Sequence, residues 1–172
     1  MIRAAHNADA AAIAAIYAAY VTGTSISFEE TPPGITETAA RIDAAITYLV
    51  YERDGEIIGF AYARPFNPRA AYRWACEISI YLDPASHRSG IGRALTTTLL
   101  DLLRDRGYVS AIAGITLPND SSVGLFEALD FTPVGVFDAV GHKLGVWHGV
   151  GYWQLQLRAP TTPPPALTSV AE

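Results

Sequence analysis

The chain has 172 residues, half of them hydrophobic, and a formal net charge of −5. This length suits one domain with a real core, and the spread of apolar residues excludes a disordered chain. The acidic balance disfavours nucleic-acid binding, no run is apolar enough to span a membrane, and the single Cys76 cannot form an internal disulfide, so a cytoplasmic location is expected.

Two helices are predicted near the N-terminus. After a short edge strand at 2–5, an alanine-rich helix is capped by Asn7 or Asp9. Apolar residues at helical spacing form one face of this helix: Ile13, Ile16, Tyr17 and Tyr20. After a proline-rich loop, a second helical face comprises Ile35, Ala39, Ile42 and Ile46.

Strand patterns follow on both sides of Asp54-Gly55, a dipeptide typical of a two-residue hairpin turn. The segments 48–52 and 56–63 are therefore predicted to pair as antiparallel strands. Both carry β-branched and aromatic residues, which favour a pleated sheet.

The stretch from 77 to 106 joins a strand, a short loop and a helix. Alternating apolar residues predict the strand, and leucines at helical spacing predict a helix that ends at Gly107. The loop between them contains Gly90 and Gly92. A loop at a helix start presents backbone N–H groups to one point, where a pyrophosphate fits. Taken alone, a tight turn explains the loop equally well.

The C-terminal half predicts two more strand-and-helix units and a tail. The segments in order are a strand at 110–115, a loop rich in cap residues at 117–122, a helix near 123–129, and strands at 134–137 and 151–157. The whole order is β-α-α-β-β-β-α-β-α-β-β, an α/β (α+β) chain with helices on the faces of a mixed sheet. Four prolines after 157 predict a flexible tail over 158–172, beyond a domain spanning 1–157.

The loop His87-Arg88-Ser89-Gly90-Ile91-Gly92 resembles the acetyl-CoA signature of the GNAT N-acetyltransferases, with His87 in place of the usual Gln or Arg. Further runs resemble the phosphinothricin and methionine sulfoximine acetyltransferase branch of that family: Trp74-Ala75-Cys76-Glu77, Leu117-Pro118-Asn119-Asp120, Gly141-His142-Lys143 and Trp147-His148. The resemblance covers 2–157. It implies the GNAT fold, a mixed and mostly antiparallel sheet flanked by helices on both faces, with acetyl-CoA as cosubstrate, no metal, and a homodimer.

The resemblance also implies a set of site residues. Backbone N–H groups of the central strand, the phosphate loop and two polar residues beyond it would contact acetyl-CoA: Ile80, Tyr81, Leu82, Arg88, Ser89, Gly90, Ile91, Gly92, Arg93, Asn119 and Ser122. The amine pocket would be walled by Phe28, Glu29, Arg64, Arg73 and Trp74. Asn119 and Ser122 are equally typical of a helix cap.

Glu77 is the candidate general base. The run Ala75-Cys76-Glu77 matches the Ala-x-Glu run in which a glutamate of the branch accepts the amine proton. A lone acid on a strand is otherwise more often a surface residue. No leaving-group acid is assigned, because Phe126 stands where many GNAT enzymes have a tyrosine. Leu144 stands where herbicide-detoxifying members tend to have a histidine, which shifts the expectation towards sulfoximine-like acceptors.

The expected function is acetyl transfer from acetyl-CoA to the primary amine of a small amino-acid-like substrate, of phosphinothricin, methionine sulfoximine or methionine sulfone type. Two alternatives stay open. A non-catalytic acetyl-CoA-binding regulatory module would not need Glu77, and an acetyltransferase for a protein N-terminus would take a larger acceptor. Trp147, Tyr152 and Trp153 would either serve a dimer contact or fill the core.

Overall fold

Seven strands and four helices are formed by residues 1–86 and 90–168, which the computed structural model describes. The strands are β1 (Ile2–Ala4), β2 (Thr47–Arg53), β3 (Glu56–Pro65), β4 (Ala75–Leu82), β5 (Ser110–Leu117), β6 (Thr132–Lys143) and β7 (Val146–Gln156). The helices are α1 (Ala10–Gly23), α2 (Ile35–Ala44), α3 (Ile91–Asp105) and α4 (Asp120–Glu127). Their order along the chain is the one predicted from the sequence.

The strands form one mixed sheet in the order β1-β2-β3-β4-β5-β7-β6. In the described ranges β4 and β5 run parallel, and the other neighbouring strands run antiparallel. β1 lies at one edge, as predicted, and Asp54-Gly55 forms the turn between β2 and β3 with positive φ at both residues. The expected mixed, mostly antiparallel sheet is confirmed.

Helices cover both faces of the sheet, and successive strand residues belong to opposite cores because their side chains point to opposite sides. Phe60 belongs to the core under α1 and α2, together with Ile13 and Val50. Its neighbour Ala61 belongs to the core under α3 and α4, together with Leu99. Helices on both faces were expected and are confirmed. No helix in the described ranges is long and apolar enough to cross a membrane.

The sheet opens between β4 and β5. These two strands are paired only from Ala75 to Glu77, opposite Ser110 to Ile112. Beyond this point β5 keeps pairing with β7 as far as Leu117, while β4 keeps pairing with β3 as far as Leu82. A wedge-shaped gap therefore begins directly after Glu77.

Two parts of the prediction from hydrophobic spacing are wrong. Ile35 begins α2 and is exposed, and Ile46 lies beyond its end. Ile42 is buried as predicted, and Thr38, which the prediction did not include, is buried as well. The last two strands are much longer than the predicted segments 134–137 and 151–157. They form a ribbon joined by a tight turn at Leu144-Gly145.

The first part of the C-terminal tail lies against the domain, which differs from the expected solvated segment. The Trp74 indole N–H donates to the Pro165 carbonyl at 2.8 Å, and the Thr168 amide donates to the Arg106 carbonyl at 3.1 Å. Leu167 packs against the core under α3. The proline-rich composition therefore does not keep residues 163–168 away from the domain.

Candidate active site

Glu77 lies at the vertex of the gap between β4 and β5, since it is the last residue of β4 that pairs with β5. Its side chain points to the face covered by α1 and α2, because its neighbours Cys76 and Ile78 point into the opposite core. Arg64, directly across on β3, donates from Nη2 to Glu77 Oε1 at 2.9 Å. Glu77 Oε2 has no hydrogen-bond partner among the described residues, and the side chain is 21% exposed. Arg64 thus orients the carboxylate through Oε1 and leaves Oε2 available to another group.

The backbone N–H groups of β4 alternate between β3 and the gap. The Asp83 amide donates to the Ile58 carbonyl and the Phe66 amide to the Ala75 carbonyl, so the odd-numbered residues of β4 bond to β3. By this alternation Tyr81 uses its N–H in the sheet, whereas Ile80 directs its N–H into the gap. Leu82 also points away from β3, but its N–H lies 3.4 Å from the Tyr20 hydroxyl. The three predicted donors are therefore reduced to Ile80 as the one facing the open gap.

The gap is a slot with polar groups at its far end. It is lined by β4 from Ile78 to Tyr81, by β5 from Gly114 to Thr116, and by Ile26, Asn119, Ser122 and Phe126. Asn119 Oδ1 accepts a hydrogen bond from the Ser122 amide at 3.1 Å and caps α4. Both interpretations of these two residues are compatible, since they cap a helix and also line the slot. Along the slot β4 and β5 do not pair with each other, which suits an extended chain with amide groups.

The start of α3 lies at the end of β4, where Gly92 is next to the side chains of Ile80 and Leu82. Gly90 adopts a positive φ of 79° as the residue before the helix, and its carbonyl accepts the first intrahelical bond, from Ala94. The N–H groups of Ile91, Gly92 and Arg93 therefore have no intrahelical acceptor and suit an anion. Arg88 and Ser89, predicted for the same function, lie outside the described residues.

A loop from 24 to 30 covers the slot on the α1 side, and the β6–β7 ribbon holds it in place. Lys143 donates from Nζ to the carbonyls of Val21 and Ser27, both at 2.6 Å. A Cβ added to Gly141 would clash with the Phe28 ring, so the ring rests on the glycine backbone. The Gly141-His142-Lys143 run, which resemblance alone singled out, therefore serves to fix this loop. The sequence alone carries no signal for that function.

Glu29 is held by a second set of contacts. Its carboxylate accepts two hydrogen bonds from Arg41, at 2.8 and 3.0 Å, and one from the Tyr17 hydroxyl at 2.9 Å. Arg41, more than Tyr17, holds the pKa of Glu29 below its ordinary value. Burial raises the pKa of Tyr17 to about 12, so this phenol remains a donor at neutral pH.

The Glu29 contacts make stability depend on pH. Because the pKa of Glu29 is lowered in the folded chain, its contribution is present above the unfolded value of 4.5 and is lost as the pH falls through the lowered folded value. Both side chains of the Glu29–Arg41 pair are more than a third exposed, so we expect a contribution on the order of 0.5 kcal/mol. Urea unfolding measures this contribution. Between pH 7 and pH 3.5 the free energy of unfolding should fall less for Glu29→Gln than for the unchanged protein. Glu30→Gln, at an exposed neighbouring site, should behave like the unchanged protein.

The predicted pocket residues fall into two groups. Glu29 and Arg64 line one cavity, whereas Phe28, which precedes Glu29 in the chain, is not among the residues that line it. The described contacts of Arg73 and Trp74 are elsewhere: the Arg73 guanidinium lies 5.1 Å from the Trp74 ring, and Trp74 binds the tail. A contribution of Arg73 and Trp74 to the amine pocket stays a prediction.

The sequence of this domain matches a known protein family. The family profile described as "Acetyltransferase (GNAT) domain" matches residues 2–149. The chain belongs to the GNAT acetyltransferase family. The family predicted from the His87–Gly92 run and the further matching runs is confirmed, and with it an acetyl-CoA-dependent N-acetyltransferase.

Relatives of this GNAT enzyme include amino-acid acetyltransferases. It is 38% identical to a phosphinothricin N-acetyltransferase of Streptomyces viridochromogenes over 95% of this chain and 91% of the relative. It is 32% identical to an L-methionine sulfoximine/L-methionine sulfone acetyltransferase of Salmonella typhimurium, over 91% and 94%. A phosphinothricin acetyltransferase of Sinorhizobium meliloti, solved in complex with acetyl-CoA, superimposes with a TM-score of 0.92 at 35% identity, covering 99% of this chain and 95% of that one.

Proposed function

We propose that this enzyme acetylates the primary amine of small amino-acid-like substrates of the phosphinothricin, methionine sulfoximine or methionine sulfone type, with Glu77 as general base. The observation that carries the proposal is the position of Glu77. It stands at the vertex of the β4–β5 gap, with one carboxylate oxygen held by Arg64 and the other without a described partner.

The described residues fit acetyl-CoA in three places. The unpaired N–H groups at the start of α3 would bind the diphosphate, and the slot between β4 and β5 would take the pantetheine arm. The Ile80 N–H would meet the thioester oxygen as it gains negative charge. When bound, acetyl-CoA supplies the activated acetyl group.

Glu77 would prepare the acceptor, because an ammonium group has no lone pair for attack. Glu77 takes one proton from the ammonium group and releases it to solvent. The amine nitrogen then attacks the thioester carbon, the C–S bond breaks, the second proton of the nitrogen passes to Glu77, and the thiolate takes a proton from water. Phe126 is buried against Phe131 and has no proton to donate, so solvent is the proton source in this proposal.

The acceptor class is supported by the two relatives whose names state amino-acid substrates, and by the side chains near Glu77. Arg64, which contacts Glu77 and lines the neighbouring cavity, provides a positive charge for an amino acid's carboxylate group. Leu144 stands in the exposed turn of the β6–β7 ribbon. Because Leu144 stands where herbicide-detoxifying members tend to have a histidine, this proposal prefers a sulfone or a sulfoximine to phosphinothricin as the acceptor.

A panel of acceptors tests the proposal. With acetyl-CoA present, we expect CoA thiol release with methionine sulfone and methionine sulfoximine, weaker release with phosphinothricin, and only background release with a peptide that begins with alanine. Preferential release with the peptide would favour the alternative of protein N-terminal acetylation. Binding of acetyl-CoA without release for any amine would favour the non-catalytic binding module.

The homodimer expected from the resemblance is part of the same proposal. The β6–β7 ribbon carries exposed apolar side chains, among them Phe137 and Trp147, the latter 64% exposed. Trp153 instead belongs to the core, where its indole N–H donates to Glu127 at 3.2 Å. Trp147 is therefore the tryptophan that would serve a dimer contact, since a continuous apolar surface is typical of an interface.

A further inference from the structure

A cavity of about 300 Å³ lies between α1 and α2 on one side and strands β2 and β3 on the other. It is distinct from the slot between β4 and β5, with which it shares no lining residue. Its volume is at the lower end of small-molecule sites. The function proposed above uses only Arg64 in the wall of this cavity and assigns nothing to the rest of it.

Three hydroxyl groups around this cavity make no hydrogen bond within residues 1–86 and 90–168. Thr38 is 3% exposed, lines the cavity, and its Oγ1 has no hydrogen-bond partner in the described part of the chain. The hydroxyls of Tyr48 and Tyr62, which also line it, make no hydrogen bond with any described residue. Of these three hydroxyls only that of Thr38 is buried from solvent. A buried hydroxyl without a partner destabilises a fold, so this position suits a ligand that supplies the missing hydrogen bond.

The remaining surfaces of the cavity are aromatic and rich in donors. The rings of Tyr48 and Tyr62 stack with centroids 5.0 Å apart, and Phe60 continues the stack at 5.7 Å from Tyr48. Arg41 and Arg64 add guanidinium groups, and each has more N–H donors than it gives to its carboxylate partners. Donors around an apolar surface suit a group that combines acceptor oxygens with methyl or methylene carbons.

Arg64 connects the cavity to the reaction centre. Its guanidinium lines the cavity and also holds Glu77 at 2.9 Å. A substrate with its amine at Glu77 can therefore extend its side chain past Arg64 towards Thr38.

We propose that this cavity is the subsite for the distal end of the acceptor's side chain, and that Thr38, Tyr48 and Tyr62 bind its acceptor oxygens. The inference rests on the proposed function and adds the residues that select the substrate. The ligand class is an amino acid whose short apolar side chain ends in an oxygen-rich head group, such as a sulfone.

The test combines one isosteric substitution with two similar substrates. Methionine sulfone and norleucine have side chains of similar length, but only the sulfone has oxygens. In Thr38→Val we expect the ratio of kcat/KM for the sulfone to kcat/KM for norleucine to fall about 10-fold, the effect of one lost hydrogen bond. The Tm of the free variant should rise by about 2–4 °C, because the unpartnered hydroxyl is gone. Thr36→Val, on the exposed face of the same helix, should change neither quantity.

The outcomes separate this inference from the proposed function. An unchanged substrate ratio in Thr38→Val would overturn the subsite, whatever the Tm does. If no amine is acetylated, the proposed function fails. The subsite can still be tested by binding, because methionine sulfone bound there should raise the Tm of the unchanged protein. Loss of that rise in Thr38→Val supports the subsite, and its absence in the unchanged protein overturns it.

Discussion

Replacing Glu77 with glutamine is expected to slow CoA release by about 10²–10⁴-fold with every accepted amine, the usual contribution of a general base. The amide keeps the size of the side chain and can still contact Arg64, but it cannot take a proton. Acetyl-CoA binding should persist, because the start of α3 and the Ile80 N–H are main-chain groups. The rate that remains should rise with pH, as solvent deprotonates more of the free amine.

Glu52 provides a matched control for this substitution. Like Glu77 it is a strand carboxylate paired with an arginine of the neighbouring strand, Arg3, at 2.8 Å, with a similar exposed fraction of 27%. Glu52→Gln should therefore release CoA at the normal rate. If Glu77→Gln also kept the normal rate, Glu77 would not be the base. If it lost acetyl-CoA binding instead, the residue would have a structural function.

Much of the fold could be predicted because local patterns and tertiary structure agree. The Asp54-Gly55 turn has positive φ at both residues, which Asp and Gly tolerate, and it joins the strands that the pattern paired. The face formed by Ile13, Ile16, Tyr17 and Tyr20 is buried against the sheet. The order of elements followed from such signals.

The β6–β7 ribbon was missed for a physical reason. Its turn places Leu144 at a φ of 52°, where Asn, Asp or Gly is normally found, so the usual turn signal is absent. The glycines of the ribbon resemble loop residues, although Gly141 is there because the Phe28 ring lies against it. Tertiary contact, not local preference, determines these residues.

The residues of the candidate site can be named from the sequence, but their geometry cannot. Glu77 and the α3 loop follow from motifs, whereas the direction of each β4 N–H depends on the pairing with β3, which a single strand sequence does not contain. The cavity near Thr38 has no local signal at all. Its walls come from α1, α2, β2 and β3, and each lining residue is ordinary in its own segment.

Lys143 is the only lysine in the chain, and its ammonium group is buried. It is 8% exposed, burial lowers its pKa, and the described residues place no carboxylate within ion-pair distance. Its stabilising contacts are the two carbonyl groups at the end of α1 and in the loop that carries Phe28 and Glu29. Labelling with an amine-reactive ester should therefore modify the N-terminal amine much faster than Lys143.

Replacing Lys143 with methionine should lower stability by about 2–3 kcal/mol, because the carbonyls of Val21 and Ser27 lose charged donors while the side-chain length is kept. For a chain of this size the Tm should fall by about 5–10 °C. The loop would lose its anchor beside the amine pocket, so the KM for the acceptor should rise more than kcat falls. Arg158→Met, which removes an exposed charge, should change the Tm by less than about 2 °C. A Lys143→Met variant with normal Tm and normal KM would mean that the ribbon positions the loop through Gly141 and Phe28 alone.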